Sequence, residues 1–345
     1  MRRIPQLDGL RGIAILMVFA THALHVPMLW MGVDLFFILS GYLITGILLH
    51  LRDQREVEGY WGPFYRRRAQ RILPPYIGFL IFVGVVFAPR WGHIWYWYAF
   101  FGANFPLALG RVPTEAMSPL WSLAVEEQFY LIWPFIVLQC DNARLRQIAL
   151  SIVILAPLLR AVATPFFSSH FPIYSLTPFR ADTLALGAFI AVAEDERTGW
   201  IRSMRRPALW GSVVSCVLLL CLSLSASFRT SANSLLFNAA GYSLSGLTFS
   251  GALIFVLGST EGVSHYLLTL TPLRYLGRIS YTFYLYHVAV LVIVSRYLNS
   301  STLRAVASLM LTSAIAALSW HVLESPILKR TRRTVSPTTA RAVAA

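Results

Sequence analysis

Long apolar runs are the feature of this sequence that most limits the fold it can adopt. A helix needs about 17–25 mainly apolar residues to cross a bilayer. Only 13% of the residues are charged and 57% are hydrophobic, which is more apolar surface than one soluble core of this size can bury. The sequence therefore predicts an all-α integral membrane protein, a polytopic bundle of about ten transmembrane helices. The predicted spans are 10–28, 32–51, 72–88, 120–139, 147–165, 178–194, 207–227, 235–258, 275–295 and 302–323.

The basic residues predict the orientation of these spans. Over the loops and tails between the spans, 21 basic residues fall on the side of the N-terminus and four on the other side. Cytoplasmic loops are the ones enriched in Lys and Arg, so both termini are predicted to be cytoplasmic. The formal charge of +14 is thus a signal of membrane topology, and we predict membrane lipid and no nucleic acid as a partner.

Two stretches of the sequence do not fit the pattern of the spans. Residues 93–109 are dense in Trp and Tyr, which favour the interface between membrane and water. We place them flat on the outer surface or as a re-entrant segment. Residues 327–345 are rich in Arg and Thr, and we predict that they form a basic, disordered cytoplasmic tail. Residues 1–326 then form a single transmembrane domain.

The cysteines and histidines predict neither a metal site nor a disulfide framework. The three cysteines are odd in number and lie in or beside apolar runs. His22 and His25 are three residues apart, but no further Cys, His or carboxylate follows them at the spacing of a ligand set. We therefore predict no bound metal.

Ionisable residues inside the apolar runs are the first candidates for a functional site, because charged groups are costly within a membrane. Arg11 and His22 are eleven residues apart in the first predicted span. At about 100° and 1.5 Å per residue they lie on nearly the same helix face, roughly 16 Å apart along the axis. The alternative interpretation is an arginine that reaches the membrane surface and an unrelated polar histidine.

Two arginines next to the third span are candidates for binding an anion. Arg68 and Arg71 share one face of a helical turn. Guanidinium groups bind phosphate with strong, often bidentate hydrogen bonds, so this pair is suited to a pyrophosphate or a 3′-phosphate. The alternative is ordinary anchoring at the membrane surface, since arginines are common at the ends of spans.

Carboxylates and a second histidine complete the candidates. Asp34 begins the second span across a short turn from His22, where its carboxylate could hold the tautomer of the imidazole or simply favour a helix N-terminus. Glu126 and Glu127 adjoin each other inside the fourth span, and we expect one of them to pair with an intramembrane cation such as Arg180. His287 lies midway along the ninth span, where an unremarkable interior histidine is the alternative.

Six segments of the chain, in this order, resemble the integral-membrane acyltransferase family 3, the O-acyltransferases of envelope glycans and secreted metabolites. The resemblance runs from about residue 5 to 326. The family patterns fall on Arg11 and His22, on Arg68 and Arg71, on Trp121, Ser122, Leu123 and Glu126, on Tyr284, Tyr286 and His287, and on Glu324, Ser325 and Pro326. The six segments are QLDGLRGIAILMVFATHA, GVDLFFILSGYLITGIL, FYRRRAQRILPPY, SPLWSLAVEEQFYLIWP, FRADTLALGAF and RISYTFYLYH.

The resemblance implies a reaction and a set of roles. Cytoplasmic acyl-CoA, with acetyl as the expected acyl group, would be the donor and would dock its phosphates on Arg68 and Arg71 with help from Arg11. His22 would deprotonate the acceptor hydroxyl as general base, or carry the acyl group itself, with Asp34 or Glu126 orienting it. Further residues expected to bind substrate are Glu127, Arg180, Asp182 and His287.

The acceptor is left open by the sequence. An envelope carbohydrate, a glycolipid or a macrolide would suit a membrane-bound O-acyltransferase, and the bacterial cytoplasmic membrane is the expected location. Some members of the family carry an extra-cytoplasmic SGNH-type domain, which we expect this chain to lack. The main alternative is a secondary transporter that uses the same charges as a proton relay, but transporters are commonly built from internal repeats and none is visible. A purely structural membrane protein would leave the intramembrane charges without a role.

Overall fold

The computed structural model describes residues 4–55, 59–196, 199–224 and 233–334, and within these ranges the chain is helical with no strand. The predicted all-α bundle is confirmed. Short 3-10 turns span Pro27–Met31, Gly92–Ile94, Glu115–Met117 and Thr164–Phe166, and π-helical turns span Phe237–Gly241 and Trp320–Glu324. The α-helices are α1 Pro5–Leu24, α2 Gly32–Asp53, α3 Trp61–Phe87, α4 Trp95–Ala99, α5 Asn104–Ala108, α6 Leu120–Gln139, α7 Asn142–Ala163, α8 Phe171–Ser175, α9 Thr177–Glu196, α10 Trp200–Leu224, α11 Tyr242–Leu257, α12 Val263–Thr269, α13 Thr271–Val294, α14 Ser301–Ser319 and α15 Ser325–Thr334.

Within the described ranges, nine helices are long and apolar enough to cross a membrane. Each of the ten predicted spans coincides with a helix, and the one that is not among the nine is α6. This helix is 20 residues long, but Glu126, Glu127 and Gln128 interrupt its apolar sequence. The exception is therefore a helix with three consecutive polar residues in the middle of its sequence.

Helix α3 begins at Trp61, eleven residues before the predicted start of the third span. Pro74 and Pro75 lie inside it without ending it, as is tolerated in membrane helices, where neighbouring groups can satisfy the freed carbonyls. The early start places Arg68 and Arg71 on a continuous helix, one turn apart and on one face, rather than on a surface loop.

Close helix contacts hold the bundle together at small residues. A Cβ atom on Gly41 of α2 would lie 2.0 Å from the carbonyl oxygen of Leu184, and one on Gly187 of α9 would lie 2.1 Å from that of Ile38. Between α1 and α13, a Cβ on Gly277 would lie 1.8 Å from the carbonyl oxygen of Asp8. Backbones approach this closely in membranes because small residues there maximise van der Waals packing. The contacts fix α1, α2, α9 and α13 around the candidate site.

Loops that were predicted to share one side of the membrane do meet at one end of the bundle. Arg52 donates hydrogen bonds to the carbonyl of Cys140 at 2.9 Å and to Asn142 at 2.6 Å, and Asn142 donates to Asp195 at 2.7 Å. These contacts join the end of α2, the start of α7 and the end of α9. That this end faces the cytoplasm, together with both termini, stays a prediction.

Residues 93–109 do not cross the membrane as a helix, in agreement with their assignment as interfacial or re-entrant. Helices α4 and α5 have five residues each, about 7.5 Å, which is far below the thickness of a bilayer. Phe101 stacks on Tyr76 with ring centroids 4.6 Å apart, and Asn104 is fully buried, where it donates hydrogen bonds to Gln128 and Thr177. These contacts insert the segment between α3, α6 and α9, so they favour the re-entrant alternative.

The first part of the predicted disordered tail is helical instead. Helix α15 runs from Ser325 to Thr334, so 327–334 are helical, and 335–345 lie outside the described residues. The last predicted span ended at 323, and Pro326 lies at the second position of α15. The π-helical turn Trp320–Glu324 precedes it, and such wide turns accommodate a proline that lacks its N–H.

Candidate active site

A cavity of about 100 Å³ lies between α1, α2, α3, α6 and α13. Its wall contains five of the residues singled out in the sequence, which come from three separate apolar runs. They are Arg11, Arg68, Arg71, Glu126 and Glu127. Ser40 of α2, Ser122 of α6 and Tyr284 of α13 add hydroxyl groups to the wall. The fold thus brings the dispersed intramembrane charges into one place.

The three arginines of the cavity have no acidic partner in the part of the chain that the structure describes. None of them has a carboxylate oxygen within ion-pair distance, whereas five other basic residues do. The guanidinium carbon of Arg68 lies 3.6 Å from the centre of the Tyr130 ring, a cation–π contact that holds the side chain without forming an ion pair. Three unpaired guanidinium groups around one cavity suit a ligand with several anionic oxygens.

The two glutamates of the cavity have different environments. Glu126 accepts a hydrogen bond of 2.6 Å from the hydroxyl of Ser40, so this carboxylate is held against α2. Glu127 has one carboxylate oxygen that is buried without a hydrogen-bond partner. It also lines a second, apolar cavity of about 290 Å³ between α3, α6 and the re-entrant segment. Neither glutamate contacts Arg180, so the predicted pairing of a glutamate with that arginine is wrong.

His22 and His287 lie together beside the cavity, although they are 265 residues apart in sequence. Their rings are in edge contact with centroids 5.0 Å apart. His22 is in the last turn of α1, which ends at Leu24 rather than at 28, so its side chain is exposed. His287 has no exposed surface, and its ring is 5.4 Å from that of Tyr284 in the cavity wall. Tyr284 therefore links the two histidines to the wall of the cavity that the arginines line.

Backbone carbonyls set the tautomers of both histidines. Nδ1 of His22 is 2.9 Å from the carbonyl oxygen of Val18, and Nδ1 of His287 is 2.6 Å from that of Tyr284. A carbonyl oxygen can only accept, so each Nδ1 must carry the proton. In a neutral ring the lone pair is then on Nε2. The Nε2 atom of His22 is the one available to take a proton.

Asp34 does not orient His22 in this structure, which corrects the sequence-based expectation. Its carboxylate forms a salt bridge with Arg180, and both side chains are fully buried. The short turn Pro27–Met31 leads into α2 in such a way that Asp34 faces α9 rather than α1. Val18, one turn earlier on α1, supplies the hydrogen bond to His22 instead.

Arg180 and Asp182 belong to a second group of buried charges, separate from the cavity wall. Asp182 pairs with Arg160 at 2.8 Å, and both are within 3% of full burial. Aromatic rings surround the guanidinium of Arg180, the nearest being Tyr242 at 4.4 Å from its ring centre. The predicted role of Arg180 and Asp182 in binding substrate stays untested, but their partners here are other residues of the protein.

Two residues of these sites were not singled out from the sequence, and a third was given no role. Arg160 lies inside the fifth predicted span, so its charge in an apolar run was an available signal. Ser40 had no such signal, because hydroxyl residues are common in membrane helices. Tyr284 belongs to a family pattern, but the resemblance assigned no task to its hydroxyl. Only the packing of α2, α6 and α13 shows that these hydroxyl groups face the charged cavity.

Comparison with known proteins decides the family. A family model described as an acyltransferase domain matches residues 4–322. The chain belongs to the acyltransferase family 3. The cavity described above therefore lies in the multi-span membrane domain of an acyltransferase.

Relatives of this acyltransferase family member include the peptidoglycan O-acetyltransferase OatA of Listeria monocytogenes, 30% identical over 94% of this chain and 56% of the relative. YrhL of Bacillus subtilis is 29% identical over 94% of this chain and 55% of its own length. The O-acetyltransferase OatA of Staphylococcus aureus is 28% identical over 95% of this chain and 58% of its own. The chain spans a little over half the length of these relatives. No solved structure matches it significantly.

Proposed function

We propose that this acyltransferase moves an acetyl group from acetyl-CoA on the cytoplasmic side to a hydroxyl of an envelope glycan, with His22 as general base. The bacterial cytoplasmic membrane is its proposed location. The relatives are named for O-acetyl transfer, two of them to peptidoglycan, so a peptidoglycan sugar is the first acceptor to test. The observation that carries the proposal is an arginine-lined cavity whose wall residue Tyr284 contacts His287 and, through it, His22, with the proton of His22 held on Nδ1 by the Val18 carbonyl.

The donor would lie with its phosphates against the arginines. Arg68 and Arg71 extend from one face of α3, and Arg11 faces them from α1 across the cavity. Coenzyme A carries a pyrophosphate and a 3′-phosphate, which need several cationic donors. Its pantetheine arm is long enough to cover the roughly 16 Å between the levels of Arg11 and His22 on α1. Glu126, held by Ser40, would orient the reacting groups from α6.

The transfer then needs a base at the acyl end of the donor. The acceptor oxygen attacks the thioester carbonyl carbon while its proton moves to Nε2 of His22. The carbonyl electrons pass to oxygen and return as the carbon–sulfur bond breaks. The thiolate leaves with the proton from the imidazolium, which restores His22. The bond from Nδ1 to the Val18 carbonyl keeps the ring in the required tautomer throughout.

The experiment is an acetyl-transfer assay with purified protein in lipid, labelled acetyl-CoA and a peptidoglycan oligosaccharide. We expect His22→Asn to lower turnover about 10²- to 10⁴-fold, the usual contribution of a general base, with unchanged affinity for acetyl-CoA. The matched control is His25→Asn, because His25 is exposed and has a left-handed backbone that Asn tolerates.

Two results would contradict the proposal in different ways. Normal turnover by His22→Asn would remove His22 as the base. Failure of the wild-type protein to release thiol with any glycan, glycolipid or macrolide acceptor would contradict acyl transfer itself. Proton-coupled solute uptake by the same vesicles would then favour the transporter.

A further inference from the structure

Two hydroxyl groups form the part of the cavity wall that leads toward the histidines. The Ser122 hydroxyl oxygen is 2.5 Å from the phenolic oxygen of Tyr284, and both residues line the cavity. The ring of Tyr284 also contacts the ring of His287, which in turn contacts His22. Tyr284 thus connects the cavity wall, which the arginines also line, with the two histidines.

The same two hydroxyls share one acceptor. The carbonyl oxygen of Pro119 is 3.0 Å from the Tyr284 hydroxyl and 3.2 Å from that of Ser122. Pro119 precedes the first turn of α6, and its carbonyl can be satisfied by either donor. If Tyr284 turns its proton away, Ser122 can keep the Pro119 carbonyl hydrogen-bonded. The Tyr284 O–H can therefore redirect its hydrogen bond to a ligand without leaving a buried acceptor unpaired, which would cost free energy.

We propose that Tyr284 is a catalytic residue, whose hydroxyl donates a hydrogen bond to the acyl carbonyl oxygen as negative charge develops there, and that Ser122 is its positioning residue. The inference rests on the proposed function. When the acceptor oxygen bonds to the carbonyl carbon, the carbonyl electron pair moves to oxygen, which the Tyr284 O–H stabilises without giving up its proton. The pair then re-forms the double bond as the carbon–sulfur bond breaks.

Other tyrosines near the cavity lack this arrangement. Tyr281 also belongs to the wall, but its hydroxyl donates to the carbonyl of Ile72 at 3.1 Å, and in the described part of the chain no second hydroxyl shares that acceptor. Tyr286, two residues from Tyr284 on α13, packs its ring against Phe79 and Phe82 and is not part of the wall. Tyr286 is thus a matched control on the same helix.

The test compares Tyr284→Phe, Ser122→Ala and Tyr286→Phe in the acetyl-transfer assay. Tyr284→Phe removes only the hydroxyl, and we expect kcat to fall about 10²- to 10³-fold, as for loss of one oxyanion donor, while the Kd of acetyl-CoA stays the same. Ser122→Ala should lower kcat on the order of 10-fold, because Pro119 then retains the Tyr284 proton. Tyr286→Phe should behave as wild type.

An infrared measurement separates a bond to the carbonyl from a structural effect. With acetyl-CoA labelled by ¹³C at the carbonyl, the bound band should lie lower in the wild type than in Tyr284→Phe, because a hydrogen bond weakens the C=O bond. Identical bands, or equal loss of kcat in Tyr284→Phe and Tyr286→Phe, would overturn the inference. An inactive wild type would end the proposed function, whereas the infrared comparison needs binding only and would still decide on Tyr284.

Discussion

Five arginines of the helical bundle fall into two groups that differ in how their charge is balanced. Arg160 and Arg180 have almost no exposed surface, and each forms a salt bridge with an aspartate. Arg11, Arg68 and Arg71 line a cavity and have no carboxylate within ion-pair distance in the described part of the chain. The same residue type thus has a paired charge in one region and no carboxylate within ion-pair distance in the other.

This difference assigns different tasks to the two regions. A charge sealed inside a bundle must be paired, because the cost of leaving it uncompensated is several kcal/mol. The ion pairs of Arg180 and Arg160 join α9 to α2 and α7, so their task is to stabilise the packing of these helices. Cations that border a cavity can bind an anion that enters from outside, so their task is ligand binding. Variants that remove one charge at a time from each region should separate the two tasks.

The largest effect is expected from the double variant Arg68→Ala and Arg71→Ala. Hydrogen bonds to a charged group are worth about 1.5–3 kcal/mol each. Loss of both should therefore raise the Kd of acetyl-CoA roughly 10²- to 10⁴-fold. Binding is measured with purified protein by titration calorimetry. The free energy of unfolding should fall by only about 0.5–2 kcal/mol for the lost Arg68–Tyr130 contact, because neither side chain has an acidic partner to strand.

A truncated donor provides the control for this variant. S-Acetyl-pantetheine lacks the nucleotide and its phosphates, so its affinity should be equal in the wild type and the double variant. Equal affinity of both proteins for complete acetyl-CoA would mean that the arginines only anchor α3 at the membrane surface.

The next largest effect is expected in the other region, from Asp34→Asn. This variant leaves Arg180 buried without its counter-charge, and breaking such a pair costs about 3–5 kcal/mol. We expect that loss in the free energy of unfolding, measured by titration with sodium dodecyl sulfate in mixed micelles. Asp182→Asn should behave alike, since it strands Arg160 in the same way.

Removing both charges tests whether the pair itself matters. The double variant Asp34→Leu and Arg180→Met should recover most of the stability, because apolar residues often replace a buried ion pair at little cost. A lower kcat for Asp34→Asn with normal stability would instead support the catalytic role that the sequence suggested for Asp34.

The sequence identified the charged residues of both regions better than it identified which residues pair with each other. Charges in apolar runs identified Arg11, Glu126, Arg180 and Asp182, because hydropathy and charge are local properties of the chain. The pairing of Asp34 with Arg180 could not be derived in this way, because it depends on which helices are neighbours. That choice is made by packing, such as the backbone contact at Gly41 that brings α9 against α2.

The start of α3 shows the same limit. The apolar run begins at Ile72, but the helix begins at Trp61, because Arg side chains favour helix as well as polar surroundings. Hydropathy locates the part of a helix that lies in lipid, not the turns that continue beyond it. Here those extra turns carry Arg68 and Arg71 into the cavity.

A smaller effect is expected from Arg68→Lys combined with Arg71→Lys. Lysine keeps the charge but is a compact ammonium without the planar fork that binds phosphate oxygens in pairs. We expect the Kd of acetyl-CoA to rise about 10-fold, between the values of the wild type and the double Ala variant. Full recovery by Lys would show that charge alone, without bidentate geometry, holds the donor.

The smallest effect is expected from ionic strength. It should change donor binding at the arginine cavity and leave the stability of the buried ion pairs unchanged. Salt shortens the Debye length from about 10 Å at 0.1 M to about 3 Å at 1 M, and it screens accessible charges far more than buried pairs. Arg71 is exposed, whereas Arg160 and Arg180 are not. Between about 0.05 and 0.5 M NaCl we therefore expect the KM of acetyl-CoA to rise roughly 3- to 10-fold, and the unfolding free energy lost in Asp34→Asn to stay constant. Steady-state kinetics and the detergent titration, run on the same preparation, measure the two quantities. A KM that is independent of salt would mean that the arginine cavity is as closed to solvent as the ion pairs, and the contrast between the two regions would then disappear.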